Sequence, residues 1–111
     1  MRGTILTLTT TAAFALAMLG SRPAAQAKTA ASVYADKCTT CHGADGKGQT
    51  AKGKKLKVKD VHETAKKMTV AQMEEIVTKG KDPDMDGFGK DLGPDMVKQI
   101  TAYYRSLADK K

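Results

Sequence analysis

The residues with the clearest chemical signature are Cys38, Cys41 and His42, in the segment CTTCHG. The two thiols are three positions apart, so on a helix they lie on neighbouring faces and can both bond to one edge of a flat ligand. The adjacent histidine can then present its imidazole to a metal from the same side. A C-x-x-C-H run is typical of c-type haem attachment, with Cys38 and Cys41 adding to the two porphyrin vinyl groups and His42 as an axial iron ligand.

Other chemistry at this cysteine spacing is less well supported. A thioredoxin-like dithiol belongs in a βαβ context, which this sequence does not show. A zinc site needs four ligands, and only Cys38, Cys41 and His62 could converge here. A disulfide across two intervening residues would be strained. These alternatives therefore rank below haem attachment.

A haem held by one histidine has a second axial position, for which five residues are candidates: Met68, Met73, Met85, Met96 and His62. Met73 falls on the apolar face of a predicted helix, and Met68 and Met96 lie next to predicted helix starts, where methionine ordinarily fills gaps. His62 sits among charged residues and is expected at the surface. Met85 differs because it lies in a glycine-rich loop whose backbone can approach a ring closely.

The loop around Met85, KDPDMDGFGK, also begins like a calcium-binding loop, with Asp82, Asp84 and Asp86 alternating before a glycine. Such a loop needs a bidentate glutamate at its twelfth position, and that position is Gly93. We therefore favour the sulfur of Met85 over the three carboxylates as the ligand in this loop.

The first 27 residues are typical of a secretory signal: Arg2 precedes an apolar run that reaches Leu19, and Ala25-Gln26-Ala27 offers a cleavage site. An uncleaved N-terminal anchor is the alternative. The mature chain, residues 28–111, is one small domain by length. Removing Arg2 and Arg22 from the 19 basic residues, against 12 acidic ones, leaves it a formal charge of +5.

The mature chain is poor in large apolar residues, with 11 Leu, Ile and Val residues and Phe88. Chains of this composition and charge tend to stay disordered. Either this segment is unfolded, or a large apolar group that is not made of amino acids completes its core. A haem would be such a group.

Three helices are predicted. The first begins near Ala30, the second follows a capping box of Thr69 and Gln72 and stops at Gly80, and the third has Pro94 at its first position. The segment from Gly43 to Asp60 has no helical period and is predicted to be a loop on the proximal side of the haem. The stripes expected to face inward are Tyr34, Cys38 and Cys41; Val70, Met73, Ile76 and Val77; and Val97, Ile100, Tyr104 and Leu107.

A run of lysines follows the motif and outnumbers its acidic neighbours Asp45, Asp60 and Glu63. It is either a solvated face or a docking patch for redox proteins with acidic surfaces. No aromatic residues interleave with it, which disfavours nucleic-acid binding. The lysines of this patch are Lys47, Lys52, Lys54, Lys55, Lys57, Lys59, Lys66 and Lys67.

Taken together, the chain resembles a short bacterial class I c-type cytochrome of the monohaem cytochrome c family. The resemblance covers the whole mature chain: Tyr34 four residues before Cys38, the run CTTCHGADGKG, an isolated methionine loop and the terminal helix DMVKQITAYYRSL. It implies an all-α fold with about three main helices around one covalent haem, Met85 opposite His42, and haem attachment outside the cytoplasm.

The resemblance implies a soluble, periplasmic, monomeric electron carrier that is not an enzyme and does not stay inserted in a membrane after signal cleavage. A five-coordinate haem sensor or peroxidase-like protein and an electron-entry subunit of a larger redox complex are the alternatives. One feature departs from the family. Many relatives supply from a proline the carbonyl that accepts a hydrogen bond from the axial histidine Nδ1, and no proline occurs between His42 and Pro83. A loop carbonyl is still expected to accept a hydrogen bond from His42 Nδ1, but the sequence does not indicate which carbonyl.

Overall fold

The computed structural model describes residues 28–111; the predicted signal segment, residues 1–27, lies outside this range. Within residues 28–111 no strand forms, and Lys81 and Met85 make one isolated bridge. The all-α class is therefore confirmed. The helices in chain order are α1 (Ala30–Lys37), α2 (Thr39–His42), α3 (Ala51–Lys55), α4 (Val61–Lys67), α5 (Val70–Lys79) and α6 (Gly89–Ser106), followed by a 3₁₀ turn, Leu107–Asp109.

The predicted N-terminal helix is present but is divided at Cys38. A capping box between Thr29 and Ser32 starts α1, and Cys38, with φ −116° and ψ −29°, ends α1 and begins α2. This residue still has right-handed helical angles, and its amide donates to the Tyr34 carbonyl, so helical hydrogen bonding continues into the motif. The attachment turn is thus a continuation of α1.

The prediction of an irregular segment from Gly43 to Asp60 is wrong in part, because α3 lies within it. The Thr50 hydroxyl caps α3 by accepting from Gly53 N at 2.8 Å. The following helix, α4, was also not predicted, and it begins where the Asp60 carboxylate accepts from His62 N at 2.9 Å. Side-chain caps stabilise both short helices, which carry no long apolar period.

Helix α5 begins and ends as predicted. Thr69 and Gln72 form the expected capping box, and Gly80 ends the helix with φ 81°. Met73 is buried, but Val70 is 45% exposed, so its predicted inward orientation is wrong. Val70 is the first residue of the helix, which packs against α6.

Helix α6 consists of two helical pieces separated by Gly93, with φ 73° and ψ 165°. The longer piece starts at Pro94, as predicted, because proline needs no amide donor there. It buries Val97, Ile100 and also Thr101, whose hydroxyl donates to the Val97 carbonyl at 2.8 Å. This piece packs against both α1 and α5.

The buried core is small. Its centre is formed by Tyr34, Val61 and Leu107. Many other large apolar side chains are only half-buried within residues 28–111, and these include Leu56, Val58, Met68, Ile76, Val77, Met85, Phe88, Leu92 and Met96. The polypeptide by itself therefore covers these apolar side chains only in part.

Gly46 packs directly on this core, and Gly93 offers a matched control. A Cβ at Gly46, with φ 72°, would lie 2.9 Å from Val61 Cγ1, whereas one at Gly93, with φ 73°, would meet nothing within 4 Å. We predict that Gly46→Ala lowers the free energy of unfolding by about 1–3 kcal/mol more than Gly93→Ala, since only the former overpacks the core. Urea unfolding of the two haem-containing variants measures this difference, and equal losses would contradict the packing described here.

Candidate haem-binding site

The structure brings Cys38, Cys41 and His42 together on one helical turn. The Cys41 and His42 amides both point to the Cys38 carbonyl, at 3.3 and 2.9 Å. Both thiols are half-buried and free, so no disulfide joins them. This is the arrangement that the C-x-x-C-H spacing predicts, with both sulfurs and the imidazole carried by consecutive positions of one turn.

Hydrogen bonds from both flanking segments fix this turn. On one side, the Tyr34 hydroxyl donates to the Gly43 carbonyl at 2.7 Å. On the other side, the Thr50 hydroxyl donates to the Thr40 carbonyl at 2.7 Å. The loop that follows is tied back by Gly48 N, which donates to the His42 carbonyl at 2.8 Å. The turn is therefore held by α1 and by the start of α3.

Helix α3 lies directly against the attachment turn. A Cβ on Gly53 would overlap the carbonyl oxygens of Cys41 and Gly48, so only glycine allows this close approach. Thr50 and Gly53 were not singled out as site residues from the sequence. The threonine three positions before a glycine was their only signal, and it is weak.

The His42 ring packs edge-on against Tyr104, with 5.1 Å between ring centroids and 71° between planes. Burial lowers the pKa of His42, which favours the neutral imidazole that a metal ion binds. Tyr104 belongs to the inward stripe predicted for the last helix, but the sequence does not predict its contact with His42.

The expected hydrogen bond from His42 Nδ1 to a loop carbonyl does not form. Nδ1 is buried and has no partner among residues 28–111. Within the loop, the Gly43 carbonyl accepts from the Tyr34 hydroxyl and from Gly46 N, and the Gly46 carbonyl accepts from Val61 N at 2.9 Å. The prediction of a loop carbonyl as acceptor is therefore wrong for this structure.

Three tyrosines surround the proximal side of the turn. Tyr34 stacks on Tyr104 at 6.1 Å and meets Tyr103 at a tilt, with 5.2 Å between centroids. Burial raises the pKa of Tyr34 and of Tyr104, so both phenols stay protonated and uncharged. Burial likewise raises the pKa of the free Cys38 thiol to about 11. The side chains packed on this side of the turn are therefore uncharged.

Met85 lies on a separate segment, the loop that joins α5 to α6. It is half-buried, and it exchanges backbone hydrogen bonds with Lys81 at 2.8 and 2.9 Å. Gly80 brings the chain close enough that a Cβ there would lie 2.5 Å from the Met85 carbonyl oxygen. The loop is therefore a tight turn folded onto the end of α5.

The other candidates for the second axial position differ in their surroundings. Met73 is 5% exposed, and its sulfur lies 3.5 Å from Arg105 Nη1. His62 is half-buried, not fully exposed, and its Nδ1 is 2.7 Å from the Asp60 carboxylate. Met68 and Met96 are half-buried, as Met85 is.

The aspartates of the Met85 loop do not assemble a cation site. Asp82, Asp84 and Asp86 are all exposed. In the described range, no group of three or more His, Cys, Asp or Glu side chains is placed to hold a metal ion. The turn is held instead by backbone bonds, including Asp84 N to the Lys81 carbonyl at 3.0 Å.

These observations fit a covalently bound haem. Two free thiols and a neutral imidazole share one turn, and an imidazole bound to iron through Nε2 leaves Nδ1 as its protonated nitrogen. The numerous half-buried apolar side chains offer the surface that a flat apolar group would cover.

Comparisons with known proteins agree with this site. A family model described as cytochrome c oxidase, cbb3-type, subunit III matches residues 25–103. The chain is 34% identical over 89 residues to the cbb3-type cytochrome c oxidase subunit FixP of Azorhizobium caulinodans, an alignment that covers 79% of this chain and 29% of FixP. The chain thus spans less than a third of the length of that relative.

Among solved structures, the KustC0563 c-type cytochrome superposes with a TM-score of 0.67 at 27% identity, covering 72% of this chain and 98% of that one. From Lys28 to Lys111, no helix is both long and apolar enough to cross a membrane. The family match extends over most of the chain and includes the C-x-x-C-H turn. The chain therefore belongs to the cytochrome c oxidase, cbb3-type, subunit III family, and it is a c-type cytochrome that carries electrons on covalently bound haem.

Proposed function

We propose that this protein carries single electrons on one haem, attached through Cys38 and Cys41, with His42 and Met85 as the axial iron ligands. The observation that carries the proposal is the placement of both free thiols and a neutral imidazole on one fixed turn. The chain contains a single C-x-x-C-H run, which supports one haem. When bound, the haem supplies an iron that gains or loses one electron with little rearrangement if both axial positions are filled.

The protein's own residues would hold, orient and shield this group. Cys38 and Cys41 anchor it to the end of α1, and Tyr104 packs against the His42 ring and limits its rotation. The neutral tyrosines Tyr34, Tyr103 and Tyr104 pack together behind the turn. Such a fixed setting would suit electron transfer, because little has to reorganise when the charge on iron changes.

Two observations support Met85 as the second ligand: the shape of its loop, and the contacts that two other candidate ligands already make. Met73 is buried beside Arg105, and His62 is hydrogen-bonded to Asp60. Met85 is half-buried in a turn that glycine allows to fold tightly. A thioether is a soft donor that favours ferrous iron and raises the reduction potential.

We predict that Met85→Ala abolishes the thioether-to-ferric-iron charge-transfer band, lowers the reduction potential, and opens the iron to cyanide or carbon monoxide. Absorption spectroscopy and redox titration of the purified protein measure these changes. The matched controls are Met96→Ala and Met73→Leu, which should keep the band; leucine at position 73 preserves the volume of a buried side chain. Retention of the band and the potential in Met85→Ala would place the ligand elsewhere.

We further propose that residues 1–27 are a cleaved signal, that residues 28–111 form the cytochrome domain, and that the mature protein is a soluble periplasmic monomer without enzymatic activity of its own.

A second candidate is a role as a subunit of a larger oxidase. The similarity of this chain to FixP, which is a cbb3-type cytochrome c oxidase subunit, favours this role. The size of the native species from cell extracts separates a free carrier from a subunit. A five-coordinate sensor or peroxidase would require that Met85 does not bind iron.

The partners we propose are redox proteins with acidic surfaces that meet the lysine patch, residues 47–67. All of its lysines are exposed, and Lys67 is paired with Glu63 across one helical turn. Three of them lie on α3, whose Gly53 packs against the Cys41 carbonyl. An acidic partner at this face would therefore sit next to the attachment turn, and the positive field would speed encounter.

We predict that oxidation of the ferrous protein by ferricyanide, a small anionic probe, slows as salt is added. Lys54→Glu should slow it by roughly twofold to tenfold at low salt. Lys98→Glu makes the same change of charge at an exposed position of α6 outside the patch, and it should have a smaller effect. Stopped-flow rates measure both. Equal effects of the two substitutions would show that the patch is only a solvated face.

A further inference from the structure

Arg105 reaches from α6 to the junction where α4 ends and α5 begins. Its Nη1 donates to the Met68 carbonyl at 2.9 Å, and its Nη2 donates to the Ala65 carbonyl at 3.4 Å. The same Nη1 lies 3.5 Å from the sulfur of Met73. One half-buried guanidinium thus contacts α4, the junction and α5 at once.

The chemistry of this contact requires an arginine. The last carbonyls of a helix lack intrahelical partners, and they form the negative end of its dipole, so a cation with several donors stabilises them. The planar guanidinium offers these donors in a fixed fork, which the single ammonium of lysine cannot reproduce. Arg105 is the only arginine in residues 28–111.

Helix α5 and the Met85 loop are built as one unit. Phe88 N donates to the Val77 carbonyl at 2.8 Å, which ties the far end of the loop to α5. Gly87 passes so close to α5 that a Cβ there would lie 2.7 Å from the carbonyl carbon of Lys79. A movement of α5 therefore carries Met85 with it.

The other end of this unit is the junction that Arg105 holds. A helix of the length of α5 is about 15 Å long. A small tilt at the junction therefore displaces the Met85 end of the helix further than it displaces the junction itself. Tyr104, the residue before Arg105, contacts the His42 ring. Adjacent positions of α6 thus connect to the segments that carry both proposed axial ligands.

We propose that Arg105 is a positioning residue for Met85: by fixing the α4–α5 junction to α6, it keeps the methionine loop closed over the iron. This inference rests on the proposed His42 and Met85 ligation. Without the guanidinium, α5 and its loop keep only their packing against α6 and lose the tie at the junction, so the weak bond between thioether and iron competes less well with added ligands.

The test uses the ferric, haem-containing protein and imidazole, a neutral competitor of Met85 whose encounter the arginine charge does not steer. For Arg105→Gln we expect roughly tenfold tighter imidazole binding, the scale of one lost charged hydrogen bond. The thioether charge-transfer band should also be lost on heating before the helices melt, as followed by far-UV circular dichroism. Arg105→Lys should give a smaller change in the same direction and carries the test if the glutamine variant does not fold.

Lys98→Gln, which removes an exposed cation from the same helix, is the matched control and should leave imidazole affinity unchanged. The proposal is overturned if the imidazole affinity of the Arg105 variants stays within twofold of wild type, or if their band and helices melt together. Arg105 would then have only a general structural role. A wild-type protein that lacks the band would instead overturn the Met85 assignment and this inference with it. If the wild type shows the band and the Arg105 variants match it in imidazole affinity and in melting of the band, only the Arg105 inference is overturned.

Discussion

The shortage of buried apolar surface is the constraint on which this structure depends. Only seven apolar side chains are buried among residues 28–111: Val33, Tyr34, Val61, Met73, Val97, Ile100 and Leu107. A domain of this size is marginal even with a full core, because shorter chains bury a smaller fraction of their surface on folding. Covalently bound haem would supply the missing apolar mass, and the half-buried side chains of α5, α6 and their connecting loop offer a surface that it could cover.

Around the proposed attachment turn, helix caps and close glycine contacts compensate for the small core. Side-chain caps at Thr50 and Asp60 stabilise two short helices that would not form alone. Gly46 and Gly53 let backbone segments approach the core and the turn where any side chain would collide. The same features would serve electron transfer, since a fixed turn would hold His42, the iron ligand that we propose, in one environment in both oxidation states.

Much of this arrangement could be predicted from the sequence because the relevant signals are local. The C-x-x-C-H spacing places three residues on one turn, the Thr69 and Gln72 pair marks the start of α5, and Pro94 marks a helical start after Gly93. Helix α3 was missed because it depends on a cap and on contact with the attachment turn, neither of which produces an apolar period.

Contacts between distant segments were beyond prediction. The exposure of Val70, and the absence of a partner for His42 Nδ1 among residues 28–111, follow from how distant segments pack together and not from any local pattern. The Arg105 contacts join residues more than thirty positions apart, and no local pattern announces them. Site residues on one turn are thus readable from spacing, whereas the contacts that position them require the fold.

The most direct test of this account is the folding of the chain without its haem. Far-UV circular dichroism of a Cys38→Ser, Cys41→Ser double variant, produced without haem, should show little helix and no cooperative thermal transition, because chain entropy exceeds what so small a core can offset. The haem-containing wild type, measured alongside, should melt cooperatively. Native-like helix content with a cooperative transition in the haem-free variant would contradict the claim that haem completes the core.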